Sequence, residues 1–254
     1  MDNVGDMMKL LEVVDISKSY GKREVLHKVS LDIRAGEVVG LLGVNGAGKT
    51  TLSSIIAAVH HPTTGDVRYR GVSLYDNVIK YRTHIGYCPQ KISDGVGFLS
   101  IYEQLWFAGQ FFNLSSDTLQ ERIDAVVSSF SLKDVLHRPL NELSGGYRQR
   151  FALARSVIHK PDIVILDEPT VALDAHVRRQ LWDYICMMRA EGVAIVLTTH
   201  YLDEAEFLSD RICILHHGTV QFIGDPQEWI QSVAKESLEE AFLHMLSIER
   251  KGGI

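Results

Sequence analysis

One eight-residue segment has a composition suited to binding phosphate groups. Residues 43–50 read GVNGAGKT and match the pattern G-x-x-x-x-G-K-[ST]. Glycines let backbone N–H groups turn towards phosphate oxygens, and a helix that follows the loop points its positive end at the same anion. In such a loop Lys49 neutralises the β- and γ-phosphates and the Thr50 hydroxyl binds Mg²⁺. The segment therefore predicts a phosphate site with a magnesium ion.

Two acids stand at the end of an apolar segment further along the chain. Residues 163–166 read IVIL, which has the length of a buried strand, and Asp167 and Glu168 follow at once. Ligands bind at the carboxyl ends of strands in open α/β sheets. We expect Asp167 to hold Mg²⁺, directly or through water, and Glu168 to polarise an attacking water molecule. Two acids that only cap a strand would be a common alternative. Because these two follow a phosphate loop in the chain, that alternative is the weaker interpretation.

A serine and two glycines form a third signal, which is weaker. Residues 143–146 read LSGG and precede a helix with apolar residues at helical spacing, so bare N–H groups stand at a helix N-terminus. Such a segment alone is more often a flexible turn. Its place between the two other motifs predicts a second anion site, and a single domain rarely needs two unless they meet across a dimer.

Strand and helix patterns alternate along the chain and indicate an α/β fold. We predict strands at residues 10–17, 25–33, 37–42, 66–70, 163–167, 193–198, 211–215 and 219–223. We predict helices at residues 48–59, 100–110, 116–130, 175–190, 201–209 and 237–248, with two more that begin near residues 146 and 225. The alternation in the second half of the chain implies a parallel sheet with helices on its faces.

Composition and charge exclude several classes of protein. The chain has 254 residues, 46% hydrophobic and 23% charged, which excludes a disordered or collagen-like chain. A formal net charge of -6 argues against general nucleic-acid binding, which normally shows a basic excess. No apolar run approaches the ~18 residues of a membrane span, and acids stand where a signal peptide would be basic. We therefore expect a soluble, cytoplasmic chain.

The three cysteines, Cys88, Cys186 and Cys213, lie far apart and form no CxxC pair. The odd count and the spacing argue against a disulfide framework or a structural zinc site, and they fit a reducing compartment. We expect all three to pack as small hydrophobic residues.

Seven motifs in order resemble those of the ATP-binding subunit of an ABC transporter, over about residues 8–224. In chain order, Tyr20 matches the aromatic A-loop, residues 43–50 Walker A, Gln90 the Q-loop, residues 143–150 (LSGGYRQR) the ABC signature, Asp167 and Glu168 Walker B with its catalytic glutamate, Asp174 the D-loop, and His200 the switch histidine. Each motif has a common structural explanation by itself, but the ordered set is very specific to this family.

The resemblance implies an ATPase that uses ATP and Mg²⁺. It implies catalytic roles for Glu168, His200 and Gln90. Metal contacts would come from Thr50, Gln90 and Asp167. The implied nucleotide-binding residues are Tyr20, Gly43, Val44, Asn45, Gly46, Ala47, Gly48, Lys49, Thr50, Thr51, Ser144, Gly145, Gly146 and Asp174. In this family two copies enclose two ATP molecules, each between the Walker A loop of one chain and the signature of the other.

The resemblance also implies an architecture. We expect a P-loop NTPase with a RecA-like core, a small antiparallel β-subdomain from the N-terminal strands, and a helical subdomain at about residues 91–155. The ATP-binding domain would cover residues 8–224 and a helical tail residues 225–254. In the family the helical subdomain docks onto a membrane subunit, although the aromatic residues near 106–112 are equally consistent with core packing.

Two positions depart from the family pattern. Tyr147 stands where the signature usually has glutamine, and Val171 and Ala172 replace a smaller pair in the D-loop. Ser144 and its two glycines are intact, so we expect phosphate binding to survive. The motifs do not determine how Tyr147 changes helix packing. They also do not determine how Val171 and Ala172 change communication between the two sites.

Three functions fit these motifs. We favour the energising subunit of an exporter, because residues 237–244 (SLEEAFLH) resemble the C-terminal helix of ABC ATPases that serve exporters of drugs, polysaccharides and lipids. An amphipathic helix with Leu238, Phe242 and Met245 on one face explains the same residues equally well. An importer ATPase is the second possibility, although importer subunits often carry longer C-terminal domains. The third is a soluble ABC ATPase without a transport role, for example in iron–sulfur assembly.

The expected partners are a second copy of the chain or a homologous ATPase subunit, and an integral membrane permease. We expect no nucleic-acid partner. The chain would then work as a peripheral subunit on the cytoplasmic face of a membrane. The motifs do not identify the transported substrate, because ATPase subunits of this family do not touch it.

Overall fold

A computed structural model describes residues 9–91 and 97–252 of the chain. The strands are β1 (Lys9–Tyr20), β2 (Arg23–Arg34), β3 (Val38–Leu42), β4 (Thr64–Tyr69), β5 (Val72–Ser73), β6 (Ile85–Cys88), β7 (Ile163–Asp167), β8 (Ala194–Thr198), β9 (Arg211–His216) and β10 (Thr219–Gly224). The α-helices are α1 (Lys49–Ile56), α2 (Val78–Arg82), α3 (Ile101–Gln110), α4 (Ser116–Ser129), α5 (Gly145–Val157), α6 (Ala175–Ala190), α7 (Leu202–Leu208), α8 (Pro226–Ser232) and α9 (Leu238–Gly252).

A six-stranded sheet with the order β10-β9-β3-β8-β7-β6 forms the centre of the fold. The strands from β9 to β6 run parallel, and β10 pairs with β9 in the antiparallel direction. The carboxyl ends of β3, β6, β7 and β8 therefore meet at one edge, which is where ligands bind in such sheets. The predicted parallel sheet with helices on its faces is confirmed, and the strands predicted at residues 211–215 and 219–223 form the antiparallel hairpin of β9 and β10.

A second, antiparallel sheet has the order β2-β1-β4-β5. Its buried positions alternate along β2, where Leu26, Val29, Leu31 and Ile33 face the core. This sheet and α1 cover one face of the central sheet, in agreement with the predicted N-terminal β-subdomain.

The central strands separate two parts of the core. Val164 and Leu166 of β7 pack with α5 and α6, whereas Ile163 and Ile165 pack on the side of α1 and the antiparallel sheet. Since successive side chains of a strand point to opposite faces, a strand buried on both faces must be apolar at every position. The uninterrupted IVIL segment satisfies this requirement.

Helices α3, α4 and α5 lie between β6 and β7 in the chain, and all three begin within residues 91–155, where the helical subdomain was predicted. Residues 92–96 of that prediction, and residues 8 and 253–254 at the ends of the predicted domains, lie outside the described residues. Phe107 and Phe111 are 58% and 72% exposed, whereas Trp106 and Phe112 pack partly against the core. The aromatic residues of this region are thus divided between core and surface.

Three local details differ from the sequence prediction. α1 ends at Ile56 rather than near residue 59, because Ala58 adopts φ +55° and the Val59 N–H turns back to the Ser54 carbonyl. β6 and α2 were not predicted, since four or five residues give too short a pattern. Cys88 and Cys213 are buried as expected, but Cys186 lies on the exposed face of α6.

The C-terminal helices pack on the β9–β10 side of the central sheet. Asp225 caps α8 by accepting hydrogen bonds from two backbone N–H groups of its first turn, and the helix begins near residue 225 as predicted. Leu238, Phe242 and Met245 of α9 lie on one face and join a separate apolar cluster around Trp229. Within residues 9–91 and 97–252, no helix combines the length and the apolar character that are needed to cross a bilayer.

Candidate active site

A tight loop joins β3 to α1, and close contacts explain the glycines at two of its positions. A Cβ atom on Gly43 would lie 2.3 Å from the Leu215 carbonyl oxygen, and one on Gly48 would lie 2.6 Å from Leu26 Cδ2. Gly48 also adopts φ +110°, which residues with side chains rarely take. α1 begins directly after Gly48, so its N-terminus faces the loop as in other anion sites built on helix ends.

The other predicted loop residues lie in the same turn and at the start of α1. Ala47 is buried and closes the turn, with its N–H bonded to the Val44 carbonyl at 3.1 Å. Asn45 and Gly46 are exposed at the tip of the loop. Thr51 is half-buried in the first turn of α1.

Lys49 is buried and turns back over the loop. Its Nζ donates a hydrogen bond to the Gly43 carbonyl oxygen at 2.7 Å and lies 3.9 Å from Glu168 Oε1. Burial lowers the pKa of Lys49, and the carboxylates of Glu168 and Asp167 oppose this effect. The chain thus places a cation between the loop and the two acids, where phosphate oxygens would meet it.

Asp167 is buried at the end of β7 and accepts hydrogen bonds from two threonines. Thr198 Oγ1 donates to Asp167 Oδ1 at 2.6 Å, and Thr50 Oγ1 donates to the same oxygen at 3.3 Å. Burial raises the pKa of Asp167, whereas these two hydrogen bonds lower it. The parallel register of β7 and β8 pairs Asp167 with Thr198, so the main contact follows from strand pairing.

Glu168 lies among polar side chains from three other segments. Gln90 Nε2 donates to Glu168 Oε2 at 2.7 Å, and His200 Nδ1 lies 3.6 Å from Oε1, the oxygen that Lys49 also approaches. The Glu168 N–H is 2.9 Å from Thr198 Oγ1, and its φ of +49° is unusual for a residue with a side chain. The structure therefore brings together Lys49, Gln90, Glu168 and His200.

The residues at this edge fit a magnesium ion. The Thr50 hydroxyl and the Asp167 carboxylate lie within 3.3 Å of each other, beside the phosphate loop. Gln90 lies beside this pair of oxygen donors, because its NH₂ group donates a hydrogen bond to the adjacent acid, Glu168. Mg²⁺ prefers hard oxygen donors, often one or two from protein with the remainder from phosphate and water.

The signature residues lie at the N-terminus of α5 and pack against the D-loop side of α6. Ser144 is the N-cap residue of α5, and both Ser144 and Gly145 are exposed. A Cβ atom on Gly145 would lie 3.7 Å from Leu173, and one on Gly146 would lie 3.0 Å from Val177. In the part of the chain that the structure describes, no hydrogen bond or ion pair connects residues 144–146 to the phosphate loop.

The two departures from the family pattern have structural settings. Tyr147 is half-buried against the core of the α5 region, and the Arg150 guanidinium lies 5.0 Å from its ring centroid. In the D-loop, Ala172 adopts φ +62°. Asp174 caps α6 by accepting a hydrogen bond from the Val177 N–H at 2.9 Å, a role that the sequence analysis missed.

Tyr20 ends β1 and is 48% exposed, with the Lys18 ammonium 5.0 Å from its ring centroid. The hairpin of β1 and β2 that carries Tyr20 is attached to the phosphate loop through Gly218, which lies between β9 and β10. The His27 N–H donates to the Gly218 carbonyl at 2.8 Å, and the Gly218 N–H donates to the Ala47 carbonyl at 3.1 Å. Tyr20 is thus an exposed aromatic ring on an element that is fixed relative to the loop.

The comparison with known families agrees with this arrangement. The sequence model of the family described as "ABC transporter" matches residues 26–171, which include the phosphate loop, the signature and both acids of β7. This chain belongs to the ABC transporter family. The fold class predicted from the sequence is that of the ATP-binding domains in this family, and it is confirmed.

Curated relatives of this ABC protein are ATP-binding proteins. It is 36% identical over 208 residues to the Nod factor export ATP-binding protein I of Rhizobium meliloti (strain 1021), which covers 82% of this chain and 62% of the relative. It is 34% identical over 242 residues to the probable multidrug ABC transporter ATP-binding protein YbhF of Escherichia coli (strain K12), covering 93% of this chain and 42% of that protein. The chain therefore spans less than two thirds of these two relatives.

A solved structure described as the ATP-binding subunit of an ABC transporter shares the fold. It superposes with a TM-score of 0.83 at 29% sequence identity and covers 93% of this ABC protein and 99% of the other chain.

Thr198 is a site residue that sequence reasoning missed. Its hydroxyl is bonded to Asp167, and both its hydroxyl and its carbonyl oxygen accept the Glu168 N–H. A signal was present, because Thr198 ends a strand two residues before His200. Aligning the carboxyl ends of neighbouring parallel strands would have placed it beside the two acids.

Proposed function

We propose that this chain binds ATP with Mg²⁺, hydrolyses it, and serves as the ATP-binding subunit of an exporter-type ABC transporter. The observation that carries the proposal is the convergence of Lys49, Gln90 and His200 on Glu168, beside a phosphate loop. Two relatives whose names include "export" and "multidrug" support the export direction over import. The sites and the domain boundaries at residues 8–224 and 225–254 form part of this proposal.

In the proposed reaction each side chain has a separate task. Lys49 and the N–H groups of the loop bind the β- and γ-phosphates. Glu168 accepts a proton from the attacking water, while Gln90 and His200 hold its carboxylate in place and reach the γ-phosphate side. Mg²⁺, held by Thr50, Asp167 and Gln90, would neutralise charge on the phosphate oxygens. Tyr20 would stack on adenine.

The signature supports a proposal of two copies around two nucleotides. Ser144 and Gly145 are exposed at the start of the 13-residue helix α5, where bare N–H groups favour an anion. Since these residues have no bond to the loop of their own chain among the described residues, each signature would contact the nucleotide of a second copy or of a homologous subunit. Asp174 lies on the same side, at the start of α6, which packs against the signature.

A groove of about 640 Å³ between α3, α5 and the core supports a membrane partner. Ile79, Phe107 and Phe111 are exposed along it. Gln104 Oε1 and His159 Nδ1 are buried there without a hydrogen-bond partner in the described structure. Burial lowers the pKa of His159 to about 4, so its ring is neutral near pH 7 and Nδ1 is an acceptor. The exposed apolar residues along the groove thus suit an apolar segment of a permease.

The decisive experiment compares the purified chain with its Glu168→Gln variant. The amide keeps the size of the side chain but cannot accept the proton, so hydrolysis should fall by roughly 10²–10⁴-fold with ATP binding retained. Binding is measured by calorimetry and hydrolysis by phosphate release, and the ATP-bound dimer should accumulate. Near wild-type phosphate release from the variant would contradict the role of Glu168. No ATP binding by the wild-type chain would contradict the proposed function as a whole.

A further inference from the structure

Glu204 is a buried carboxyl group that the proposed reaction does not use. It lies in the first turn of α7 with no exposed surface. Trp182 Nε1 of α6 donates a hydrogen bond to its Oε1 at 2.8 Å. Burying a carboxyl group is costly unless it is bonded, so a residue of this type at this place calls for an explanation beyond packing.

The surroundings of Glu204 connect it to both segments that carry the reacting groups. The hydroxyls of Thr199 and Thr170 lie beside its carboxyl group: burial raises the pKa of Glu204, and these hydroxyls and the Trp182 indole counteract that rise. Thr199 directly precedes His200, and Thr170 follows Glu168 by two residues. Both threonines are buried.

One oxygen of this carboxyl group lacks a bond of good geometry. Oε2 of Glu204 and Oγ1 of Thr170 are both buried without a hydrogen-bond partner in the described part of the molecule. An unpaired buried acceptor costs free energy, so a bond from the Thr170 hydroxyl to the Glu204 carboxyl group would stabilise the contact between α7 and the segment after Glu168.

The loop that carries His200 is short and depends on contacts of this kind. The Tyr201 N–H is bonded to Thr199 Oγ1 at 3.0 Å, and the Tyr201 ring lies 4.3 Å from the His200 ring. From α6, the Arg178 guanidinium lies 4.9 Å from the Tyr201 ring centroid and 3.5 Å from the Asp203 carboxylate. These contacts of Arg178 are partly exposed, whereas the bond of Glu204 is fully buried and therefore the stronger constraint.

We infer that Glu204 is a positioning residue for His200, holding the His200 loop against α6 and against the segment that follows Glu168. Asp174 of the D-loop caps α6, so the bond between Trp182 and Glu204 also connects α7 to the helix that follows the D-loop. This inference rests on the proposed ATPase activity. It assigns Glu204 no contact with the nucleotide.

The test uses Glu204→Leu, which keeps the approximate volume and removes the hydrogen bonds. We expect kcat to fall about 10–100-fold, as is typical when a group that orients an active-site residue is lost, with ATP affinity within about twofold of wild type. Glu204→Gln still accepts from the Trp182 indole and should recover most of the rate. Glu206→Leu is the matched control, because this α7 glutamate is bonded to the C-terminal helices and should leave kcat unchanged.

A double-mutant cycle with His200→Ala separates positioning from general damage. If Glu204 acts through His200, adding Glu204→Leu to His200→Ala should lower kcat by less than about twofold, because coupled effects are not additive. Multiplicative losses, or a wild-type kcat in Glu204→Leu, would overturn the inference. Should Glu204→Leu not fold, Trp182→Phe removes the same bond and still places an aromatic ring there, and in combination with His200→Ala it must show the same lack of additivity. An inactive wild-type chain would instead contradict the proposed function.

Discussion

Gln90 Nε2 donates a hydrogen bond to Glu168 Oε2 at 2.7 Å, across a sequence separation of 78 residues. Gln90 follows β6 and Glu168 follows β7, and these strands are parallel neighbours at the edge of the central sheet. The bond therefore couples the residue that precedes the helical region to the proposed base.

The first prediction concerns this pair. Gln90→Glu would place two carboxylates at hydrogen-bonding distance, and like charges so close disfavour ionisation of both. We expect kcat to fall by more than about tenfold at neutral pH, because a protonated Glu168 is no base, and to recover partly as the pH rises and the shared proton is lost. The kcat–pH profile measures this. Gln90→Ala, which removes the bond without adding charge, should lack the alkaline recovery; the same profile in both variants would contradict the argument.

Lys49→Ala should abolish ATP binding. The substitution removes the cation that faces the β- and γ-phosphates and leaves Glu168 and Asp167 without their neighbouring positive charge. Calorimetry with Mg-ATP measures the affinity, and Lys80→Ala, on α2, serves as the control. Unchanged affinity in Lys49→Ala would show that residues 43–50 are not the phosphate site.

Ser144→Arg should leave ATP binding by the isolated chain intact and block ATP-dependent dimers. Ser144 is exposed and not bonded to the phosphate loop within the described residues, so a large side chain there affects a second molecule rather than its own site. Size-exclusion chromatography with the Glu168→Gln background measures the dimer, and Ser144→Ala is the small control. Normal dimers of the arginine variant would disprove the shared site.

Tyr20→Ala should raise the apparent KM for ATP with little change in maximal rate. Its ring is 48% exposed at the end of β1, and stacking of an aromatic ring on a base contributes about 1–3 kcal/mol in other nucleotide sites. Tyr20→Phe keeps the stacking face and should behave as wild type. A collapse of the maximal rate in the alanine variant would assign Tyr20 a different role.

Asp167→Asn should make the nucleotide-free chain more stable at neutral pH. Burial raises the pKa of Asp167 in the folded state, so the ionised carboxylate disfavours folding. The protonated side chain therefore contributes stability at low pH, and that stability is lost as the pH rises through the pKa of the folded state. Tm without nucleotide or Mg²⁺ should increase, on the order of 2–4 °C per kcal/mol for a chain of this size. The gain should vanish at acidic pH. Asp183→Asn, on the exposed face of α6, should show no gain; a lower Tm for Asp167→Asn would contradict the prediction.

The sequence by itself determined the features that depend on residues adjacent in the chain. The phosphate loop occupies eight consecutive residues, so its proposed chemistry and its place before a helix could both be predicted directly. The IVIL segment predicted a strand buried on both faces, since such a strand allows no polar position. The ordered motifs then predicted the family. The same motifs singled out Lys49, Gln90 and His200, which the structure places around Glu168.

Only the tertiary structure decided which of these residues touch each other. The contacts of Glu168 with Gln90, His200 and Lys49 depend on the order and register of β3, β6, β7 and β8, which local propensity does not encode. The roles of Thr198 and Glu204 follow from the same pairing and from the packing of α6 on α7. The tertiary structure also determined short elements such as β6 and the end of α1 at Ile56. Long-range contacts outweigh the weak conformational preferences of four or five residues.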